Sequence, residues 1–520
     1  MSRRSPVHLV APRFVVLALP LVLAMALLAS LLAPTADAQD DPPLDGRFQQ
    51  NGDAGGFLNI MPPGADGVLN TLEILAAQAG QLPEHYNDQT AMYETLVYEG
   101  GLPVDGDHGE PLLGVTDGDL ERFFKDGSFG AEGEVVEIDV SACGDDVIAF
   151  RDTAFGVPHI YSSDRTQAQC ANGYATAEDR LFLMDLLRHI GYARMSEFLG
   201  ASEANKAMDR GQLLVAGYDE DDYIAQEAAL CDSSDPERRQ ICADGTAYIE
   251  GVNHYVAAVR TNPMLLPGEY PALQILPEDF VLRDILSIAS LVGGIFGKGG
   301  GNEAANSMFM ADLIDQHGDA EGREIFDDLK AANDPDASLT IQASFPYNNP
   351  TALDETTTAL LEPGSFVPAF EGGIGGVGVP GTVLARSGWP TSDTVNLGVV
   401  DGPFGPIDLR TPLGMSNAIL ATADVTDSGV PIAVFGPQTG YYTPQLLVET
   451  DIHAPGLDAR GTAFAGTNIY VQLGRGGDYA WSATSASGDL VDEWAIELCD
   501  PDGGEATIDS TGYVWDGTCA

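Results

Sequence analysis

Lysine is rare in this chain of 520 residues, which has 24 Lys and Arg against 78 Asp and Glu and a formal net charge of −54. The lysines are Lys125, Lys206, Lys298 and Lys330. Such negative charge repels phosphate at long range, so the composition argues against nucleic acid as a partner. It is typical of a solvated surface in salty surroundings, or of loose divalent-cation binding, and it carries no information about catalysis.

Several motifs of familiar sites are also missing. No G-x-S-x-G occurs, which argues against a conventional Ser-His-Asp triad. The cysteines show no C-x2-C spacing, which disfavours a zinc site. The run Gly373-Ile374-Gly375-Gly376-Val377-Gly378 matches G-x-G-x-x-G, but it neither follows a clear strand nor opens a helix. A dinucleotide site is therefore not predicted.

A single apolar run, over residues 14–32, approaches the length of a membrane-spanning helix. Arg3 and Arg4 precede it, and Thr35-Ala36-Asp37-Ala38 follows it as an A-x-A cleavage site. This pattern predicts a signal peptide over 1–38, a mature chain starting near Gln39, and a periplasmic or extracellular location without a stable membrane partner. The alternative is an uncleaved membrane anchor.

The six cysteines fit an exported protein with up to three disulfides, although the number alone allows many connectivities. They are Cys143, Cys170, Cys231, Cys242, Cys499 and Cys519. Local pairs are favoured: Cys231 with Cys242 would close a short polar loop, and Cys499 with Cys519 would close a segment rich in Gly and Asp.

The pattern of apolar residues predicts a helix-rich first part. A strand is expected over 147–151, followed by a helix whose apolar positions, from Leu183 to Ala193, recur at helical spacing. Further helices are predicted over 67–80, 225–231, 245–261, 277–293 and 302–317, with the last helical stretch ending near Leu329. From about 348 to 390 the composition shifts to Gly, Pro, Thr and small apolar residues, which indicates an exposed connection.

Beyond residue 416 the pattern becomes strand, turn, strand. Strands over 418–423 and 430–435 flank the turn Asp427-Ser428-Gly429 and predict a hairpin. A second pair is predicted over 463–473 and 478–484. Ser416 thus stands at the beginning of a sheet.

Three blocks of sequence share their order, spacing and residue types with a known family. The first includes Gly156-Val157-Pro158-His159-Ile160 and Glu178-Asp179-Arg180-Leu181-Phe182. The second runs from Ser416-Asn417 through Gly436-Pro437-Gln438 to His453, and the third from Ala480-Trp481 to Asp492. These blocks resemble the start of the α chain and the opening of the β chain in the penicillin acylase family of N-terminal-nucleophile amidohydrolases.

The resemblance implies an α+β fold, the N-terminal-nucleophile αββα sandwich, with an additional helical region. It also implies an organisation along the chain. After the signal peptide come an acidic N-terminal extension (39–142), an α-chain-like segment (143–347), a spacer or linker (348–415) and the start of a β-chain-like segment (416–520). The chain then corresponds to a C-terminally truncated precursor whose α and β segments associate after processing.

The resemblance implies that Ser416 is the catalytic nucleophile. Cleavage of the Met415–Ser416 bond frees an α-amino group with a pKa near ~7.7–8, which can accept the proton of the serine's own hydroxyl. Asn417 matches the residue after the nucleophile, Gln438 a position that orients the substrate amide, and Ser485 a backbone N–H of the oxyanion hole. The second oxyanion donor, an asparagine, is expected downstream of Ala520.

The resemblance also implies a calcium site that ties the α and β segments together. Its ligands would include Glu303, Asp489, Asp492 and the carbonyl of Val491, and hard oxygen ligands of this kind suit Ca²⁺. His453 is similar to a histidine found in relatives, and we expect it to be structural.

The predicted function is that of an exported amidohydrolase, which would cleave an N-acyl amide such as a β-lactam side chain or an acyl homoserine lactone through a seryl ester. The segment 293–297 and the neighbourhoods of Gln438 and Ser485 are small and aliphatic except for Phe296, which favours an aliphatic acyl group. Two alternatives are a general peptide or amide hydrolase and a catalytically silent, calcium-stabilised envelope scaffold.

Overall fold

The structure is a computed structural model. It describes residues 57–59, 70–80, 124–131, 133–300, 303–330, 395–402, 405–411, 416–437, 445–484, 488–491, 495–507 and 510–520. The chain divides into two compact units. The first comprises Met1–Leu186, Ile224–Leu286 and Tyr441–Trp481, and the second comprises Leu187–Tyr223, Ser287–Gly440 and Ser482–Ala520.

The strands are numbered in chain order. They are β1 (Leu58–Asn59), β2 (Lys125–Asp126), β3 (Val135–Ile138), β4 (Val147–Asp152), β5 (Pro158–Ser162), β6 (Lys298–Gly300), β7 (Val395–Gly402), β8 (Gly405–Thr411), β9 (Ser416–Ala421), β10 (Ile432–Pro437), β11 (Leu447–Ala454), β12 (Leu457–Phe464), β13 (Leu473–Arg475), β14 (Ala480–Trp481), β15 (Gly488–Val491), β16 (Leu498–Cys499), β17 (Gly512–Trp515) and β18 (Thr518–Cys519).

The helices follow in the same order. They are α1 (Thr71–Gln78), α2 (Arg165–Gly191), α3 (Met195–Phe198), α4 (Glu203–Val215), α5 (Glu220–Cys231), α6 (Pro236–Thr261), α7 (Glu269–Leu273), α8 (Leu282–Phe296), α9 (Glu303–His317) and α10 (Asp319–Lys330).

A seven-stranded sheet is the centre of the first unit, with strand order β14-β13-β12-β11-β5-β4-β3. Neighbouring strands are antiparallel except β5 and β11, which run parallel. In that central pair His159 is in register with Asp451, and Tyr161 with His453. The sheet therefore joins strands from the α-chain-like and β-chain-like segments side by side.

One face of this sheet is apolar and packs on helix α2. Ile160 and Ile452 point to this face and are almost fully buried. The helix meets them with Ala168, Ala171 and Ala175, whose small side chains let it lie close to the strands. Because side chains alternate along a strand, the residues directly before and after each isoleucine point to the opposite face.

Helices α2 and α6 cross at two glycines. A Cβ atom built on Gly251 would lie 1.8 Å from the carbonyl oxygen of Cys170, and one built on Gly173 would lie 1.9 Å from the carbonyl oxygen of Tyr248. No side chain fits at either position, so the two backbones touch directly. This contact fixes the helical layer over the sheet.

The α+β class expected from the sequence is confirmed. The structure also confirms the predicted strand at the start of β4, the helices at α2, α5, α6, α8 and α9, and the hairpin formed by β9 and β10. Both local disulfides are present, and a third bridge joins Cys143 to Cys170.

The strand predicted over 463–473 is wrong. Strand β12 ends at Phe464, and the chain then turns until β13 begins at Leu473. The physical reason is the hydrogen bonding of the Asn468 side chain. Its Nδ2 donates to Thr176 Oγ1 (2.6 Å), and its Oδ1 accepts from the Tyr248 hydroxyl (2.6 Å). These bonds hold the segment against the helices instead of in the sheet.

The segment expected to be an N-terminal extension contributes to the sheet. Strand β3 lies within residues 39–142 and pairs with β4 from Val135↔Asp152 to Ile138↔Ala149. Across the described residues, no helix combines the length and apolar character needed to span a bilayer. The predicted signal peptide lies outside those residues.

Candidate active site

Ser416 is the first residue of β9, as the sequence predicts. In the antiparallel register of β9 and β10, Ser416 pairs with Pro437 and Asn417 pairs with Gly436. Gln438 follows Pro437 directly in the chain but lies outside the described residues. The hairpin thus brings the backbone of the predicted nucleophile next to the residue that precedes Gln438.

This hairpin, which we call the Ser416 hairpin (β9 and β10), exposes apolar side chains on both faces. Ile419 and Leu420 are adjacent and therefore point to opposite faces, yet they are 73% and 74% exposed. Val434, paired with Ile419, is 67% exposed. The described neighbours of the hairpin therefore cover neither face.

Two of the residues predicted to bind calcium, Asp489 and Val491, lie on strand β15 in the second unit. Strand β15 pairs with β6, with Asp489 opposite Gly299 and Val491 opposite Gly300. Helix α9 begins at Glu303, three residues after Gly300. The backbone of β15 is thus close to the start of α9, while Asp492 and Ser485 lie outside the described residues.

No ready-made metal cluster appears in the part of the chain that the structure describes. Among the described residues, no three or more His, Cys, Asp or Glu side chains are arranged to hold an ion. Glu303 is exposed at the start of its helix. The calcium site thus remains a prediction.

A buried ionic network on the sheet was not anticipated from the sequence. It lies opposite the face that packs on α2, and its members are buried or half-buried charged side chains from four strands of the sheet (β4, β5, β11 and β12) and from β2. We call it the charged face, and it consists of Lys125, Asp152, His159, Glu449, Asp451, His453, Asp458 and Arg460.

Asp451 is the hub of the charged face. It is fully buried, and its Oδ2 lies 2.8 Å from His159 Nδ1 while its Oδ1 lies 2.9 Å from His453 Nε2. The outer nitrogens of the two rings also meet carboxylates: His159 Nε2 lies 3.3 Å from Asp152 Oδ2, and His453 Nδ1 contacts Asp458 Oδ1. Each imidazole is therefore held between two carboxylates.

This arrangement sets the charges of the network. Burial alone would lower the pKa of His453, but Asp451 and Asp458 outweigh it and raise that pKa to about 9. The pKa of His159 is also raised against the effect of burial, by Asp152 and Asp451. In turn the two imidazolium ions hold the pKa of Asp451 well below its usual range, although burial opposes this.

Two further cations, Lys125 and Arg460, form ion pairs with Glu449. Lys125 Nζ lies 2.5 Å from Glu449 Oε2, and Arg460 Nε lies 3.1 Å from Glu449 Oε1. All three side chains are less than 10% exposed. Buried charges are tolerated only when they are paired, and in this network each one is.

The sequence does contain a signal for this network. In β11 the charged residues Glu449, Asp451 and His453 occupy every second position, between Val448, Thr450 and Ile452. Alternation of this kind indicates a half-exposed strand. Only the structure shows that the polar face is covered, because the covering residues come from more than 300 positions upstream.

Comparison with known proteins identifies the family. The family model described as penicillin amidase matches residues 146–520. Penicillin G acylase of Escherichia coli is 29% identical over 350 residues, which is 66% of this chain and 39% of that protein. Penicillin acylase 2 proenzyme of Pseudomonas sp. (strain SE83) is 30% identical over 144 residues, covering 28% of this chain and 17% of the relative.

Among solved structures, a thermostable penicillin G acylase from Alcaligenes faecalis in tetragonal form is 30% identical, with a TM-score of 0.32 over 38% of this chain and 98% of that chain. The match to the Escherichia coli enzyme spans about two fifths of its length. Since the family model covers well over half of the sequence, the resemblance noted in the sequence is confirmed. The chain belongs to the penicillin amidase family.

Proposed function

We propose that this chain is exported and, after cleavage before Ser416, acts within an amidohydrolase that cleaves N-acyl amides through a seryl ester. The observation that carries the proposal is the position of Ser416 at the start of β9, paired with the residue before Gln438, within a chain of the penicillin amidase family. A free amine at that serine would serve as the base for its own hydroxyl.

The reaction follows from the predicted groups. The Ser416 hydroxyl would attack the amide carbonyl while the α-amino group takes its proton, and the backbone N–H of Ser485 would stabilise the oxyanion. The amine would leave with a proton, and water would then hydrolyse the ester. The similarity to proteins named penicillin G acylase and penicillin acylase 2 proenzyme supports a processed acylase acting on a small amide.

The serine can be tested by comparing Ser416→Ala with Ser416→Cys in the full-length protein. The alanine variant should remain uncleaved and lose hydrolysis of N-acyl amides by at least about 10³-fold, because nucleophile and base are both lost. Cysteine retains a nucleophile, so this variant should still be cleaved before position 416. Turnover by the alanine variant at the wild-type rate would contradict the proposal.

The acyl preference can be tested on processed protein with a matched pair of amides, one carrying a fatty acyl group and one a phenylacetyl group. The small and aliphatic residues predicted around the pocket favour the fatty acyl amide. Much faster hydrolysis of the phenylacetyl amide would contradict the acyl preference and leave the nucleophile unaffected.

We further propose that Glu303, Asp489, Asp492 and the carbonyl of Val491 hold a structural Ca²⁺ that links the two segments. The pairing of β15 with β6, just before α9, supports this by bringing the backbone of Asp489 and Val491 near Glu303. Such an ion would bind oxygen ligands and join elements far apart in sequence, without taking part in the chemistry.

Removal of calcium should therefore lower the melting temperature of the full-length protein by several degrees, and added Ca²⁺ should restore it. Glu303→Gln should reduce this response, whereas Glu321→Gln, a change at an exposed position on α10, should retain it. A melting temperature that does not respond to chelator or calcium would contradict the calcium proposal.

A further inference from the structure

A short segment covers the charged face. It consists of residues 124–131, which we call the strap, and it ends 15 residues before the region matched by the family model begins (146 − 131). Lys125 and Phe129 in this segment are buried. The strap is therefore packed into the first unit even though it lies outside the family match.

Backbone groups of the strap bind charged side chains of the sheet. The Gly130 N–H donates to Asp451 Oδ2 at 2.9 Å, the same oxygen that contacts His159. The carbonyl oxygen of Ser128 accepts from Arg460 Nη1, and that of Gly127 accepts from Arg475 Nη1 at 3.4 Å. The hub carboxylate thus joins the strap to the histidines.

Side chains of the strap add further contacts. The Phe129 ring meets His453 edge to face, with centroids 4.7 Å apart. The Arg475 guanidinium lies 4.0 Å from the centroid of Phe129 and 3.8 Å from that of Phe57. The Lys125 ammonium group forms an ion pair with the Glu449 carboxylate. The strap is therefore both a cover and a partner in the network.

The geometry favours the charged form of both imidazoles. A neutral imidazole has one donor and one acceptor nitrogen, so one of its nitrogens would face a carboxylate oxygen lone pair to lone pair. In the charged face all four ring nitrogens meet carboxylates. With both rings protonated, four cations face the four carboxylates of the charged face. Deprotonation leaves buried negative charge unpaired around Asp451.

Other groups around the rings do not replace the lost charge. The charged or titratable side chains that face them are Asp152 from β4, Tyr161 from β5, Asp451 from β11, Asp458 and Arg460 from β12, and Lys125 through its effect on Asp152. Arg460 is already bound to Glu449 and Ser128, and burial raises the pKa of Tyr161. The two histidines are the cations of this set that lose charge first as pH rises.

We propose that the strap is a pH-dependent latch, held closed by two buried imidazolium ions, that loosens from the sheet when they deprotonate while the sheet stays folded. The Gly130 bond to Asp451 and the Phe129 contact with His453 are the connections that weaken. This device acts on the N-terminal side of the family region and does not depend on the proposed reaction.

Hydrogen–deuterium exchange on the full-length protein tests the latch directly. Protection factors, corrected for the intrinsic effect of pH, are measured for peptides from the strap and from β4 and β5 between about pH 6.5 and about pH 10. We expect protection of the strap to fall at least about tenfold with a midpoint near pH 9, since one pKa unit corresponds to a tenfold change. Protection of β4 and β5 should hold.

Two variants sharpen the test. His453→Gln presents one donor nitrogen and one acceptor oxygen, like a neutral imidazole, so its strap should exchange at least about tenfold faster already near pH 7 and lose the midpoint near pH 9 that His453 gives. His317→Gln, at an exposed position on α9, is the matched control and should keep the wild-type profile. If His453→Gln does not fold, the pH dependence of strap protection in the wild-type protein alone tests the proposal. Strap protection that is constant over the range, or that is lost together with β4 and β5, would overturn the proposal.

Discussion

The seven-stranded sheet and the Ser416 hairpin place polar and apolar side chains in opposite ways. The sheet buries Asp451, His159 and His453 almost completely, whereas the hairpin leaves Ile419 and Leu420 about three-quarters exposed. Burial of charge is tolerated in the sheet because each group has partners at hydrogen-bonding distance. Burial in this chain therefore follows from what covers a strand, and not from its hydrophobicity alone.

The two regions also differ in what they contribute: the sheet to stability, and the Ser416 hairpin to the proposed function. The sheet is covered by α2 on one face and by the strap on the other, so substitutions of its buried residues should destabilise the first unit. The hairpin carries the predicted nucleophile and gains little from burial within the described structure. Matched substitutions in the two regions should therefore have very different effects on the free energy of unfolding.

The largest difference is expected for the same substitution made in each region. Ile160→Ala removes a side chain that is 0% exposed in β5 and should lower the free energy of unfolding by about 2–5 kcal/mol. Ile419→Ala removes one that is 73% exposed in β9 and should change it by less than about 0.5 kcal/mol. Denaturant titration of both variants measures this contrast. Equal losses would show that the hairpin is buried in solution.

A smaller effect is expected where α2 and α6 cross. Gly251→Ala would place a methyl group 1.8 Å from the carbonyl oxygen of Cys170, and separating the two backbones should cost about 1–3 kcal/mol. Gly211→Ala is the matched control, because nothing lies within 4 Å of its added Cβ in α4, and it should be neutral or stabilising by up to about 1 kcal/mol.

The same denaturant titration serves both glycine variants. Similar stability of Gly251→Ala and the wild type would mean that the helices can move apart at no cost. The sheet would then depend less on its helical layer than the close contact at Gly173 and Gly251 indicates.

The sequence predicted much of this structure. The apolar spacing from Leu183 to Ala193 indicated the course of α2, and the turn Asp427-Ser428-Gly429 located the hairpin, because both signals are local. The segment after Phe464 was predicted wrongly because its conformation depends on the contact of Asn468 with helix α2, almost 300 residues upstream. Local patterns do not carry such long-range contacts.

In the candidate site too, some residues were predicted from the sequence and others were not. Family resemblance located Ser416 and the β15 segment, and the structure places both on strands. The charged face was not predicted, since the alternation of charged residues in β11 indicates a solvent-exposed face, and only the structure shows that the strap covers it. Asp451 and Lys125 therefore had no recognisable role in the sequence alone.

The most direct test is the mass and N-terminal sequence of the full-length protein after export. The account predicts two chains held together without a covalent bond between the α and β segments, one of them beginning Ser416-Asn417-Ala418. Active protein that hydrolyses N-acyl amides as a single uncleaved chain, or with every new N-terminus at another residue, would contradict it.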